Sequence, residues 1–130
     1  MKYLKTIFHI LNIVLIIFYL FPGSILGCFF FKDCQIQPQI TQDFIISSNH
    51  FYSFSLLAFI GLIYQKSKKI MFFYLIFLSI FLELMHYLVP NRSFEYQDLL
   101  GNLFGVTISI VIIKLILFFK EKNVKIEKLK

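Results

Sequence analysis

Apolar side chains fall into four long runs separated by short polar connections. Thr6 to Phe31 and Phe44 to Gln65 contain no Lys, Arg, Asp or Glu. Ile70 to Pro90 carries a single charge, Glu83, and Leu99 to Phe119 a single charge, Lys114. Each run reaches the roughly 20 residues that a helix needs to cross about 30 Å of hydrocarbon. A backbone in lipid must satisfy its own hydrogen bonds, and none of the runs alternates as a barrel strand would. The pattern predicts an all-α fold, a polytopic membrane bundle of four transmembrane helices over about 5–22, 44–65, 70–89 and 98–119. A basic tail over 120–130 completes a single domain spanning 1–130.

Composition points the same way. With 58% hydrophobic and 15% charged residues and a mean hydropathy of +0.78, the chain has too few charges to coat a soluble domain. At 130 residues it is too short for a second sizeable domain. The net charge of +6 does not point to nucleic acid, because the lysines sit in short blocks between apolar runs. Lys2 and Lys5 precede the first run, Lys66, Lys68 and Lys69 fill the second connection, and Lys120, Lys122, Lys125, Lys128 and Lys130 follow the last. The other two connections are poor in lysine. With four spans, the positive-inside rule then places both termini in the cytoplasm.

Two features near the first run carry alternatives. Lys2 and Lys5 followed by an apolar stretch and Ile25-Leu26-Gly27-Cys28 resemble a lipoprotein signal. The run is long, however, Pro22-Gly23 interrupts it, and leucine is a poor residue two before the cysteine. A retained first helix ending near Phe21 is the expectation. Cys28 and Cys34 share the first outer connection, where a disulfide and two free thiols are both open.

Helix direction brings the ionisable groups to one depth. The second span enters from outside with His50 near its start, the third exits with Glu83 and His86 near its end, and the fourth starts with Asp98 and Asn102. At 1.5 Å per residue these groups lie roughly 7–9 Å below the span ends, all in the outer leaflet. Charged and polar groups at that depth are costly and ask for partners. Glu83 and His86 are three apart and share a face, with Ser79 one turn behind; Asn49, His50 and Ser53 lie near one another. Asp98, Asn102, Gly105 and Ser109 step by 4, 3 and 4 into one stripe, and Gly101 with Gly105 forms a small-xxx-small pair for close helix contact. Pro90 is expected to end the third span and Asp98 to cap the fourth. Arg92, the single arginine, is expected to fold back onto Glu83 or Asp98. Packing explains Asn102 and the glycines well enough, and a lone His50 reads as a hydrogen-bonded structural residue. Glu83 is the residue for which structure alone gives least reason.

From Glu83 to Gly105 the sequence resembles the VanZ-like membrane family. That family's pattern of a glutamate and a glutamine three apart, Pro-x-Arg, an aspartate, Asn and Gly falls here on Glu83, His86, Pro90, Arg92, Asp98, Asn102 and Gly105. Phe21-Pro22-Gly23-Ser24 and His50-Phe51 resemble the family's close to its first helix and opening of its second. His86 replaces the usual glutamine, and Ile46-Ser47 stands where Asp-Lys often precedes the histidine. The resemblance implies four helices in a bacterial cytoplasmic membrane and a loose link to glycopeptide antibiotic (teicoplanin) resistance. It supplies no mechanism.

Three functions remain open at this point. The first is an envelope protein that binds the polar headgroup of a lipid or lipid-linked wall precursor, with Arg92 on the anion and His50, Glu83 and Asn102 orienting it. The second is an intramembrane enzyme with Glu83 or His50 as general base and Asp98 or His86 assisting, acting through water because no Ser or Cys nucleophile is paired with a base. The third is a scaffold for envelope assembly. A metal variant of the enzyme would use His50, Glu83, His86 and Asp98. Di-iron helices need two Glu-x-x-His pairs and this chain has one, so no metal and no cofactor are expected. The expected partners are the lipid bilayer, such a headgroup and a second copy of the chain; a transporter of four helices would have to oligomerise.

Overall fold

Helix boundaries follow the residues that cannot continue a helix. The computed structural model describes residues 2–43 and 45–127, with side chains described as far as Lys122. Five helices and no strands occur among them: α1 Lys2–Leu20, α2 Ile25–Phe31, α3 Ser48–Tyr64, α4 Lys68–Met85 and α5 Tyr96–Glu127. After α1, Gly23 takes φ 105°, a conformation that favours glycine, and the chain reverses there. Ser24 then caps α2 by accepting from the Gly27 N–H at 3.0 Å. The short α2 was not anticipated. A disulfide between Cys28 and Cys34 ties its end to the following segment, resolving the choice that the sequence left open.

The other boundaries depart from expectation for local reasons. α3 starts at Ser48 rather than at 44 because the polar segment before it folds back on its first turn. Asp43 Oδ1 accepts from the Ser48 N–H at 2.7 Å, and Ser48 Oγ donates to Thr41 O at 2.7 Å. α4 stops at Met85 rather than 89. Pro90 has no N–H and its ring crowds the carbonyl four residues back, so the helix tightens into turns with Leu88 N–H donating to Met85 O at 2.9 Å. α5 starts two residues early, which leaves Asp98 inside its first turn instead of capping it. It also continues through the basic segment to Glu127; residues 128–130 of that expected tail lie outside the described residues.

α3 is the central element. It packs most extensively on α5 and also touches α1 and α4. Phe54, Leu57, Ala58 and Leu62 of α3 meet Phe8 and Leu15 of α1, Leu75 and Leu82 of α4 and Val106 of α5 in the core. Contact with α5 depends on two glycines. A Cβ added at Gly105 would lie 2.6 Å from Phe51 O, and one at Gly101 2.7 Å from Ser47 O, so only glycine permits this approach. Ser109, one turn on, donates to Ser55 O at 2.8 Å.

Surface and interior show the reverse of a soluble protein's pattern. Phe73, Phe77, Phe81, Ile108, Ile112 and Phe118 face outward, while Asn12, Ser79, Glu83, His86, Asn102 and Ser109 are buried. α1 and the Tyr96–Lys122 stretch of α5 are long and apolar enough to cross a membrane. α3 has 17 residues, and the 18 of α4 include Lys68, Lys69 and Glu83. Two apolar helices and an apolar exterior suggest a membrane protein.

Candidate functional site

The polar groups converge where α1 and α4 end and where α3 and α5 begin. Tyr19, in the last turn of α1, is their common partner. Its hydroxyl donates to Asn102 Oδ1 of α5 at 2.5 Å and lies 2.8 Å from His50 Nδ1 of α3. On the other side of His50, Nε2 is 3.2 Å from Asp98 Oδ2. Tyr19 thus fixes His50 Nδ1, and the outward nitrogen Nε2 faces the Asp98 carboxylate with a proton or a cation between them.

Glu83 is fully buried. Its Oε1 accepts from the Glu95 N–H at 3.0 Å and lies 3.2 Å from His86 Nδ1. His86 Nε2 in turn sits 3.1 Å from the Tyr19 carbonyl oxygen, which can only accept. One proton must therefore be shared between His86 Nδ1 and Glu83, and the pair is neutral as a whole. The second carboxylate oxygen, Oε2, has no hydrogen-bond partner among the described residues, and neither has Ser79 Oγ one turn below.

Arg92 departs from its expected place. Instead of pairing with Glu83 or Asp98, Nη2 donates to Gly23 O at 2.6 Å and to Phe18 O at 3.4 Å, and Nε donates to Phe21 O at 3.4 Å. The last carbonyls of a helix lack backbone partners, and Pro22 removes one more N–H, so the guanidinium fills that gap. Burial lowers the pKa of Arg92 from its ordinary value, with Asp98 the chief opposing influence. Asn49 also points elsewhere: it donates to Pro38 O at 2.7 Å and accepts from the Ile40 N–H at 2.9 Å, clamping the loop between α2 and α3 over the site.

Of the residues singled out from the sequence, His50, Glu83, His86, Asp98 and Asn102 thus meet in one network, and Arg92 borders it. Gly101, Gly105 and Ser109 lie at the α3–α5 contact rather than in the network. Tyr19 was missed, because a tyrosine near a span end also fits an interfacial anchor. Its distance from Pro22 was the available signal, since it sets Tyr19 at the depth of the other groups.

Two cavities open onto this network. One of about 300 Å³ lies among α1, α2, α3 and the loop, with Phe18, Ile25 and Leu26 beside polar residues. The other, about 160 Å³, is lined by Asp43, Ser47, Asn91, Glu95 and Asp98, nearly all polar. Gln37, Gln39, Asn49, His50, His86 and Arg92 border both. For cation binding, His50, Glu83 and Asp98 offer ligand atoms all within 4.8 Å of one another. No curated protein and no solved structure matches the chain. A family model does, VanZ/LLP1, over residues 3–118, and the chain belongs to that family.

Proposed function

We propose that this chain is a four-span protein of a bacterial cytoplasmic membrane, with both termini inside, that binds the polar headgroup of a lipid or lipid-linked wall precursor. The carrying observation is the pair of cavities that share six lining residues, one partly apolar and one polar. An amphiphile fits that division, with its head in the polar chamber and the start of its chain beside Phe18, Ile25 and Leu26. Arg92 borders the junction and brings positive charge to an anionic group there. On this reading α3 and α4 also cross the membrane, and the lysine bias sets the orientation. Any part in glycopeptide resistance would act through such binding to wall precursors.

Native mass spectrometry of the detergent-purified chain tests the binding. A stoichiometric phospholipid or prenyl-phosphate adduct is expected, weakened in Arg92→Gln while circular dichroism stays helical. No adduct in the unaltered chain, or an adduct indifferent to that substitution, would remove the reading. Topology is tested separately with an impermeant thiol reagent on intact cells. Ser93→Cys should label and Lys66→Cys should not; the reverse pattern would turn the site to the cytoplasm. Water-mediated hydrolysis is the second reading, favoured by the 3.2 Å contact between His50 and Asp98. Turnover of a bound phospholipid that is lost in His50→Gln would put it first.

A further inference from the structure

We infer that His50, Glu83 and Asp98 form a binding site for one divalent transition-metal ion, of the Mn²⁺ or Zn²⁺ class. The inference stands apart from headgroup binding and rests on the three side chains themselves. They come from three helices, α3, α4 and α5, and their ligand atoms all lie within 4.8 Å of one another. Ligands of a common ion at about 2.0–2.2 Å are separated by roughly 3 to 4.4 Å, so small side-chain movements would close the shell. Two features of the site favour a cation, a pre-oriented histidine facing a carboxylate and a buried carboxylate oxygen left bare. His50 Nε2 and Asp98 Oδ2 face each other at 3.2 Å with the histidine's other nitrogen already held by Tyr19. That is the arrangement of a metal-bound histidine, whose second nitrogen is fixed by an outer partner that selects the tautomer. Glu83, fully buried, keeps one carboxylate oxygen without a hydrogen bond among the described residues, although its other oxygen is doubly engaged. A buried carboxylate oxygen left bare is costly, and a metal ion would satisfy it.

The donor set selects the class of ion. One imidazole and two carboxylates are mixed nitrogen and oxygen ligands, suited to Mn²⁺ or Zn²⁺ better than to Ca²⁺, which takes six to eight oxygens. Asp98 brings negative charge to the ion, while Glu83, which shares a proton with His86, brings its bare oxygen. The polar cavity bordered by His50 and Asp98 leaves the remaining positions open to water or an anionic ligand. His86 stays outside the shell, because both its nitrogens are occupied by Glu83 and by the Tyr19 carbonyl.

The test uses the full chain, purified without a histidine tag, stripped with chelator and titrated with Mn²⁺ while the spectrum of free ion is followed by electron paramagnetic resonance. Zn²⁺ competition is run in parallel. One equivalent of Mn²⁺ should bind saturably and be displaced by Zn²⁺. Glu83→Gln and Asp98→Asn should each weaken binding at least about tenfold, which is the roughly 1.4 kcal/mol of one lost ligand contact. His9→Ala, on exposed α1 surface, should change nothing. Absence of saturable binding, or binding in both carboxylate variants as strong as in the unaltered chain, would overturn the inference. If Glu83→Gln does not fold, Asp98→Asn decides alone, because Asp98 is partly exposed and its loss leaves the core intact.

Discussion

Replacing Gly105 by alanine probes the contact on which the site depends. The added Cβ would stand 2.6 Å from Phe51 O and 2.9 Å from Ser55 N, whereas ordinary contact begins at 3.4 Å. Both obstacles are backbone atoms of a continuous helix, so no side chain can turn away. α5 must retreat from α3 by about 0.8 Å (3.4 − 2.6) at that point. Overpacking of this kind costs about 1–3 kcal/mol. The Ser109 to Ser55 bond at 2.8 Å, one turn away, would stretch beyond bonding distance and add about 0.6 kcal/mol. A loss of about 2–4 kcal/mol is expected for Gly105→Ala. Asn102→Ala removes one interhelical hydrogen bond and should cost nearer 0.6 kcal/mol while disturbing the network around Tyr19. Phe104→Ala, 53% exposed on the outer face, should cost little. Equilibrium unfolding in mixed bicelles, followed by circular dichroism, measures all three. Equal losses for Gly105→Ala and Phe104→Ala would refute the close α3–α5 contact. A loss in Asn102→Ala as large as in Gly105→Ala would make the polar network chiefly structural glue and favour the scaffold reading.

Tyr19→Phe should lower stability by about 1–3 kcal/mol, because Asn102 Oδ1 and His50 Nδ1 both lose their partner in a buried site; an unchanged unfolding midpoint would deny the hydroxyl its linking role. Arg92→Ala should loosen the end of α1, seen as faster amide exchange after Ile17, since three carbonyls lose their donor; unchanged exchange would show that water replaces the guanidinium at no cost. Cys28 and Cys34 should alkylate only after reduction. Serine at both should cost about 2 kcal/mol, the loop entropy of so short a closure, and alkylation without reductant would contradict the disulfide.

Much of the fold was legible because long apolar runs obey one local rule. An uncharged run of about 20 residues must hydrogen-bond to itself, so runs of Phe, Ile and Leu announce helices whatever their neighbours. The ends were harder to read, and each error has a local cause: the Asp43 side chain that delays α3, the ring of Pro90 that stops α4 at Met85, and the Gly23 turn that frees Ile25–Phe31 to form its own helix. That His50, Glu83 and Asn102 come to one level of the bundle was also legible, since helix rise is constant.

What the sequence determined by itself is therefore the helical content and the set of polar residues that had to find one another, because burial cost and backbone hydrogen bonding act residue by residue. Only the tertiary structure decided how they pair. Arg92 was expected to seek a carboxylate and instead meets the carbonyls of Phe18, Phe21 and Gly23, which no spacing rule brings near it. Tyr19 became the centre of the network because the approach of α5 to α3, set by Gly101 and Gly105, brings Asn102 and His50 to the same hydroxyl. Pairing depends on helix rotation and separation, and those are set by side chains far apart in the chain that meet only when the bundle is assembled.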